Sequence, residues 1–122
     1  MRRLLVVEDN PLNLEMITTW LEAEGYQVFS AETLREAFSA FEAARPELVL
    51  LDIRLGPDDG TAFAVWLRGQ PESHQVPVIA VTAHALRDEQ ERILKAGCNA
   101  VIAKPVGFRL LRAELDRWLN AT

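Results

Sequence analysis

The feature that most constrains this chain is a regular alternation between short, wholly apolar runs and longer segments of helical periodicity. Leu4-Leu5-Val6-Val7, Leu48-Val49-Leu50-Leu51, Val78-Ile79-Ala80-Val81 and Ala100 to Ala103 carry no polar side chain. A strand covered on both faces needs such a run, because both of its alternating sides must be apolar. A weaker strand fits Gln27 to Ser30.

The intervening segments read as helices. Asn10-Pro11 pairs an N-cap residue with the residue favoured at the first helical position, predicting a helix from about Pro11 to Glu24 that stops at Gly25. Leu14, Ile17 and Leu21 give it a buried stripe. Thr33 to Ala44 reads as a second helix, with Leu34, Ala37, Phe38 and Phe41 inward and Pro46 beyond its end. Gly56-Pro57-Asp58-Asp59-Gly60 is turn chemistry, before a short helix over Thr61 to Arg68 and a polar loop over Gln70 to Gln75. Leu86 to Ala96 is a charged helix closed by Gly97. The last helix, Gly107 to Leu119, carries Phe108, Leu111, Leu115 and Trp118 on one side. Strand and helix in strict alternation imply a parallel sheet with helices on both faces, a doubly wound α/β three-layer sandwich. The chain is too short for six strands, so the expected sheet order is 2-1-3-4-5.

Length and composition bound what this domain can do. With 122 residues the chain accommodates one domain, residues 1–122, and no output domain. A net charge of −5 argues against a surface devoted to nucleic acid. Cys98 is the only cysteine, so no intrachain disulfide forms. The apolar run after Met1-Arg2-Arg3 ends at Glu8-Asp9, too short for a secretory signal, and no stretch is long enough to span a membrane. The expectation is a cytoplasmic protein with no membrane insertion and no direct nucleic-acid partner.

In open parallel sheets, sites form beyond the carboxyl ends of the strands. Glu8 and Asp9 follow the first strand, Asp52 ends the third, Thr82 ends the fourth, and Lys104 follows the fifth. Three carboxylates brought together repel one another, and a hard divalent cation such as Mg²⁺ relieves that repulsion. Lys104 and Thr82 suit the non-bridging oxygens of a phosphoryl group. A carboxylate beside a metal can act as a nucleophile and form an aspartyl phosphate. Taken singly, each residue has a plainer reading: Glu8 and Asp9 as loop acids, Asp52 as a turn residue, Thr82 as a helix cap and Lys104 as a solvated lysine. Their joint placement, each at a strand end, favours phosphoryl transfer to Asp52. Cys98 reads as a small buried residue, His74 as solvated, and Trp20, Trp66 and Trp118 as packing residues.

These residues resemble the receiver domains of two-component response regulators over essentially the whole chain, and that family has the flavodoxin-like (βα)5 fold. Glu8-Asp9-Asn10 is similar to the family's acidic pair, Asp52 to its phosphoacceptor, Thr82-Ala83 to its hydroxyl–small pair, and Lys104-Pro105 to its lysine before a cis proline. The resemblance implies that Asp9 binds Mg²⁺ directly, Glu8 mainly through water, and Arg54 through its backbone carbonyl, with Asp52 completing the set. It implies phosphorylation from a phosphohistidine on a sensor histidine kinase or histidine phosphotransfer protein, and a downstream protein target. Such a domain catalyses its own phosphorylation and slow dephosphorylation without turning over a small substrate. Glu8 to Asn13 and Gly25-Tyr26-Gln27-Val28 look most like stand-alone relay receivers and those fused to hybrid kinases.

Three departures from the family's usual pattern matter. Val101 stands where an aromatic switch residue is common, three positions before Lys104. Gly56 stands where a proline usually follows the phosphoacceptor by four, with Pro57 one position later. Arg54 and His84 occupy positions that influence how water reaches the acyl phosphate, and a bulky Arg54 is expected to slow its loss. The face of the fourth helix, fifth strand and fifth helix, with Arg87, Glu91, Lys95, Val101 and Arg112, is the expected partner surface, and could also pair two copies of the chain.

Competing readings fit less well. A flavodoxin-like cofactor binder wants a phosphate-cradling first loop, where Glu8-Asp9 would repel phosphate. Neither glycine pattern of a nucleotide-binding loop occurs. A haloacid-dehalogenase-type phosphatase wants a second acid two residues beyond its nucleophile, and Arg54 stands there. The main alternative is a receiver-like docking module that works without phosphorylation.

Overall fold

All five expected strands enter one parallel sheet. The computed structural model describes residues 1–120. Its elements are β1 (Arg3–Val7), α1 (Pro11–Ala23), β2 (Gln27–Ala31), α2 (Leu34–Ala44), β3 (Leu48–Asp52), β4 (Arg54–Leu55), β5 (Asp58–Asp59), α3 (Thr61–Arg68), β6 (Val78–Thr82), α4 (Arg87–Ala96), β7 (Ala100–Ala103) and α5 (Phe108–Leu119). The main sheet runs β2-β1-β3-β6-β7, and every pairing in it is parallel. Leaving aside the two-residue strands β4 and β5, this is the 2-1-3-4-5 order. The turn-rich stretch after β3 forms a small antiparallel hairpin of those two strands, with Arg54 opposite Asp59.

Alternation along the strands divides the core in two. Leu5, Val7, Val49, Leu51, Val78 and Ala80 pack against Ala37, Phe41, Phe63, Leu67 and Ile93 from α2, α3 and α4. Their neighbours Leu4, Val6, Leu48, Leu50, Ile79, Val81 and Ile102 face Ile17, Leu21, Leu111 and Leu115 from α1 and α5. Each full burial of a Leu, Val or Phe contributes roughly 1.5–3 kcal/mol, so both faces of the sheet must be covered. Phe38, Phe41, Phe63 and Trp66 form an aromatic cluster with centroids 5.1–5.8 Å apart, and Trp20 stacks on Phe108 at 4.8 Å. The tryptophans at positions 20 and 66 are therefore packing residues. Cys98 is buried, and burial pushes its thiol up to about 12, which leaves it inert.

Element ends differ from expectation by one residue where a cap decides the matter. The Asn10 side chain accepts from the backbone N–H groups of Leu12 and Asn13, so α1 begins at Pro11, while Glu24 is its C-cap. Thr33, Leu86 and Gly107 are N-caps rather than first helical residues. β2 gains Ala31, whose carbonyl accepts from Glu8 and carries the ladder one step past β1.

Gly60 is fixed by close approach. A Cβ there would lie 2.3 Å from the carbonyl oxygen of Asp52, and the Gly60 N–H donates to Ile53 O at 2.6 Å. A side chain at position 60 must push the carboxyl end of β3 away. Gly60→Ala is expected to lower stability by about 1–3 kcal/mol, as read by urea unfolding. A wild-type midpoint in that variant would show that the end of β3 yields freely.

Candidate functional site

The parallel sheet aims four strand ends at one edge. The Glu8 N–H bond to Ala31 O fixes the exit from β1 and leaves the Glu8 side chain 3% exposed, with Asp9 turned outward to solvent. β3 ends on Asp52, also 3% exposed. One carboxylate oxygen from each of Glu8, Asp9 and Asp52 lies within 4.8 Å of the other two. Lys104 leaves β7 with its N–H on Thr82 O at 2.8 Å, which steers its side chain into the same space. Its Nζ lies 3.0 Å from Asp52 Oδ2 and 3.5 Å from Glu8 Oε1. The Lys104–Pro105 peptide is cis.

Electrostatics make this cluster tense. Burial, together with a hydrogen bond shared with Asp52, pushes the Glu8 carboxyl from its usual 4.5 up to about 7, while the Asn10 N–H and Lys104 oppose the rise. Burial works against the Lys104 ammonium, but the hydrogen bond and charge of Asp52, reinforced by Glu8, outweigh it and raise Lys104 above its ordinary value. Glu8 thus holds a proton, and Lys104 serves both Glu8 and Asp52, where a divalent cation would serve better. Closely set carboxylate oxygens, one of them on a proton-holding buried acid, are a donor set suited to a hard divalent ion. The residues present fit Mg²⁺.

The neighbouring groups are held by backbone contacts. Thr82 is buried, and its Oγ1 accepts from His84 N at 3.0 Å. The Arg54 N–H donates to Asp52 Oδ1 at 3.2 Å, while its side chain is exposed. His84 is exposed at the rim. The expected partner residues lie apart from this cluster. Arg87, Glu91 and Lys95 share one exposed face of α4, with Arg87 3.5 Å from Glu91, and Val101 is half-buried on β7. Arg112 does not join them: it pairs with Glu24 at the end of α1 and lies 5.6 Å over the Trp20 ring, on the α1 side of α5.

Two features of the site were not read from the sequence. The Gly56 N–H donates to Asp9 Oδ2 at 3.0 Å across 47 residues of chain. A cavity of about 280 Å³ opens beside Glu8 and Lys104, lined by Asn13, Met16, Ile17, Pro105, Val106 and Phe108. Met16 lies outside the helical stripe of Leu14, Ile17 and Leu21, and an apolar side chain off that stripe is the signal the sequence offers; the structure leaves it exposed.

Comparison with known proteins agrees with this geometry. Residues 4–116 match the family model described as response regulator receiver domain. The polar-differentiation response regulator DivK of Brucella anthropi is 38% identical over 105 residues, 86% of this chain and 85% of that protein. The receiver domain of a sensor histidine kinase from Pseudomonas aeruginosa, solved with a magnesium ion coordinated in its active-site cleft, is 36% identical. It superposes with a TM-score of 0.89 over 98% of each chain. The signal receiver domain of a signal transduction histidine kinase from Syntrophus aciditrophicus is 32% identical, with a TM-score of 0.90 over 100% of this chain and 92% of the other.

The raised Glu8 carboxyl has a signed consequence for stability. The folded chain keeps a proton that the unfolded chain loses, so the stabilisation is full below pH 4.5 and is lost as pH rises through about 7. Without divalent cations, the stability of the native chain relative to Glu8→Gln should fall across that window. Saturating Mg²⁺ should remove most of the fall. Urea unfolding of both proteins against pH measures it; a difference that is flat with pH would contradict a proton held on Glu8.

Proposed function

This chain belongs to the response regulator receiver domains, and from that premise we propose that it accepts a phosphoryl group from phosphohistidine onto Asp52 and thereby switches partner binding. The observation that carries this reading is the convergence of Glu8, Asp9, Asp52, Thr82 and Lys104 on one sheet edge, with Lys104 Nζ 3.0 Å from Asp52 Oδ2.

In this reading Glu8, Asp9 and Asp52, with the backbone carbonyl of Arg54, would hold the metal. Bound there, Mg²⁺ would supply positive charge that offsets the repulsion among the acids and favours an incoming phosphoryl group. A carboxylate oxygen of Asp52 bonds to phosphorus as the P–N bond of the donor breaks, and the electron pair of that bond returns to the imidazole nitrogen. Lys104 passes from Asp52 Oδ2 to a phosphoryl oxygen. Thr82 turns its hydroxyl proton to another, since a hydroxyl donates while still accepting. His84 N holds Thr82 Oγ1, so the turn of Thr82 pulls on the segment leading into α4. The face carrying Arg87, Glu91, Lys95 and Val101 then changes its fit to a downstream protein or to a second copy of the chain. A sensor histidine kinase or histidine phosphotransfer protein is the donor. Met16, which lines the cavity at Glu8 and Lys104, and Leu12 on the same helix are exposed and give that donor an apolar footing.

Dephosphorylation is slow in this reading because a bulky, exposed Arg54 side chain two residues beyond Asp52 would screen the acyl phosphate from water. Among the described residues no helix is long and apolar enough to cross a membrane.

Incubation with acetyl phosphate and Mg²⁺ is expected to add one phosphate, seen by intact mass, and Asp52→Asn should take up none. After donor removal the phosphate should persist for minutes, and Arg54→Ala should shorten its life several-fold. A folded wild-type chain that takes up no phosphate would favour a docking module independent of phosphorylation. Loss within seconds would reject the screening role of Arg54.

A further inference from the structure

The hairpin after β3 makes a contact with the acidic cluster that this chain owes to one glycine. Gly56 has φ of 61°, a left-handed conformation closed to proline, and it is solvent-exposed with open space around it. Its N–H points at Asp9 Oδ2, 3.0 Å away. A proline at this position, the residue usual at that place in receiver domains, has no N–H and could not make the bond. The hairpin is held from its far side as well. Arg92 of α4 donates to Asp59 Oδ2 at 2.8 Å and to Thr61 Oγ1 at 3.4 Å, while Asp59 Oδ1 accepts from Thr61 N at 2.9 Å. Gly56 is therefore a donor on an anchored hairpin, aimed at the most exposed of the three acids.

We propose that the Gly56 backbone N–H is a positioning group for Asp9, holding its carboxylate in the cluster for a divalent cation. Asp9 is repelled by Asp52 and by ionised Glu8, and its exposure leaves solvent free to draw it away. A donor on Oδ2 counters that drift and holds the carboxylate within the cluster, so less ordering is required when a cation arrives. Gly56 acts through Asp9 and touches no reacting atom. The inference rests on the metal-binding reading given above.

Titration calorimetry of the full chain with Mg²⁺ tests it, using wild type, Gly56→Ala and Gly56→Pro. Gly56→Ala keeps the N–H and has open space for its methyl; its left-handed φ of 61° costs stability in the metal-free and metal-bound chain alike, so it is expected to bind within about twofold of wild type. Gly56→Pro removes the donor and is expected to bind about five- to tenfold more weakly, the scale of one hydrogen bond to a partly solvated charge. Amide exchange gives a readout that does not need Gly56→Pro to fold: Asp9→Ala should speed exchange at Gly56 by about tenfold while sparing the amides of β3. Equal binding by Gly56→Pro and wild type, equal weakening in Gly56→Ala and Gly56→Pro, or unchanged Gly56 exchange in Asp9→Ala would each overturn the proposal. Wild type that binds no Mg²⁺ would instead overturn the metal reading, and this inference with it.

Discussion

Three carboxylates with ligand oxygens inside 4.8 Å, two of them buried, repel one another. The rest of the site answers that repulsion. Lys104 reaches in from β7 to contact Asp52 and Glu8, Glu8 holds a proton into the neutral range, and backbone N–H groups from Asn10, Arg54 and Gly56 each take one carboxylate oxygen. A pocket balanced in this way has a donor set that suits a divalent cation. Under the proposed function an anionic phosphoryl group follows the cation, with Lys104 moving onto it.

The sheet makes the repulsion possible. Parallel strands with both faces covered force every connection over a helix and every strand to leave by the same edge. The order β2-β1-β3-β6-β7 puts the ends of β1, β3, β6 and β7 side by side, so residues far apart in the chain meet without any long loop. Gly60 shows how tightly that edge is built, since no side chain fits between it and the Asp52 carbonyl. In the proposed switch, Val101 in place of an aromatic residue leaves a moving Thr82 no swinging ring to engage, and the His84 N–H bond to its Oγ1 ties Thr82 to the segment before α4.

Much of this was legible in the sequence. All-apolar runs such as Leu48 to Leu51 announce strands buried on both faces, and residues placed just past those runs fall at the functional edge whatever the loop details. The five chemical residues could thus be named before any coordinates. Side-chain direction was less legible. Arg112 reads as a partner-face residue by helical position, but Glu24 and the Trp20 ring draw it toward α1. The loop after β3 reads as turn residues, and nothing in that composition says that the Gly56 N–H would reach Asp9 across 47 positions. Backbone donors carry no side-chain signature, so a contact of this kind appears only once the fold brings the segments together. The cavity beside α1 was hidden for a related reason: Met16 lies off the periodic stripe, and its place at the cavity appears only in the structure.

The central claim is that Asp52 is a phosphoryl acceptor whose product is gripped by Lys104 and Thr82. Beryllofluoride, which mimics an acyl phosphate on a carboxylate, probes that grip without the lability of the phosphoryl bond. A crystal structure of the chain with beryllofluoride and Mg²⁺ should show the adduct on Asp52, with Lys104 Nζ and Thr82 Oγ1 each within hydrogen-bond distance of fluorine. A folded protein that forms no adduct at Asp52, or one in which Lys104 stays on the carboxylates and Thr82 keeps its present contact alone, would contradict it.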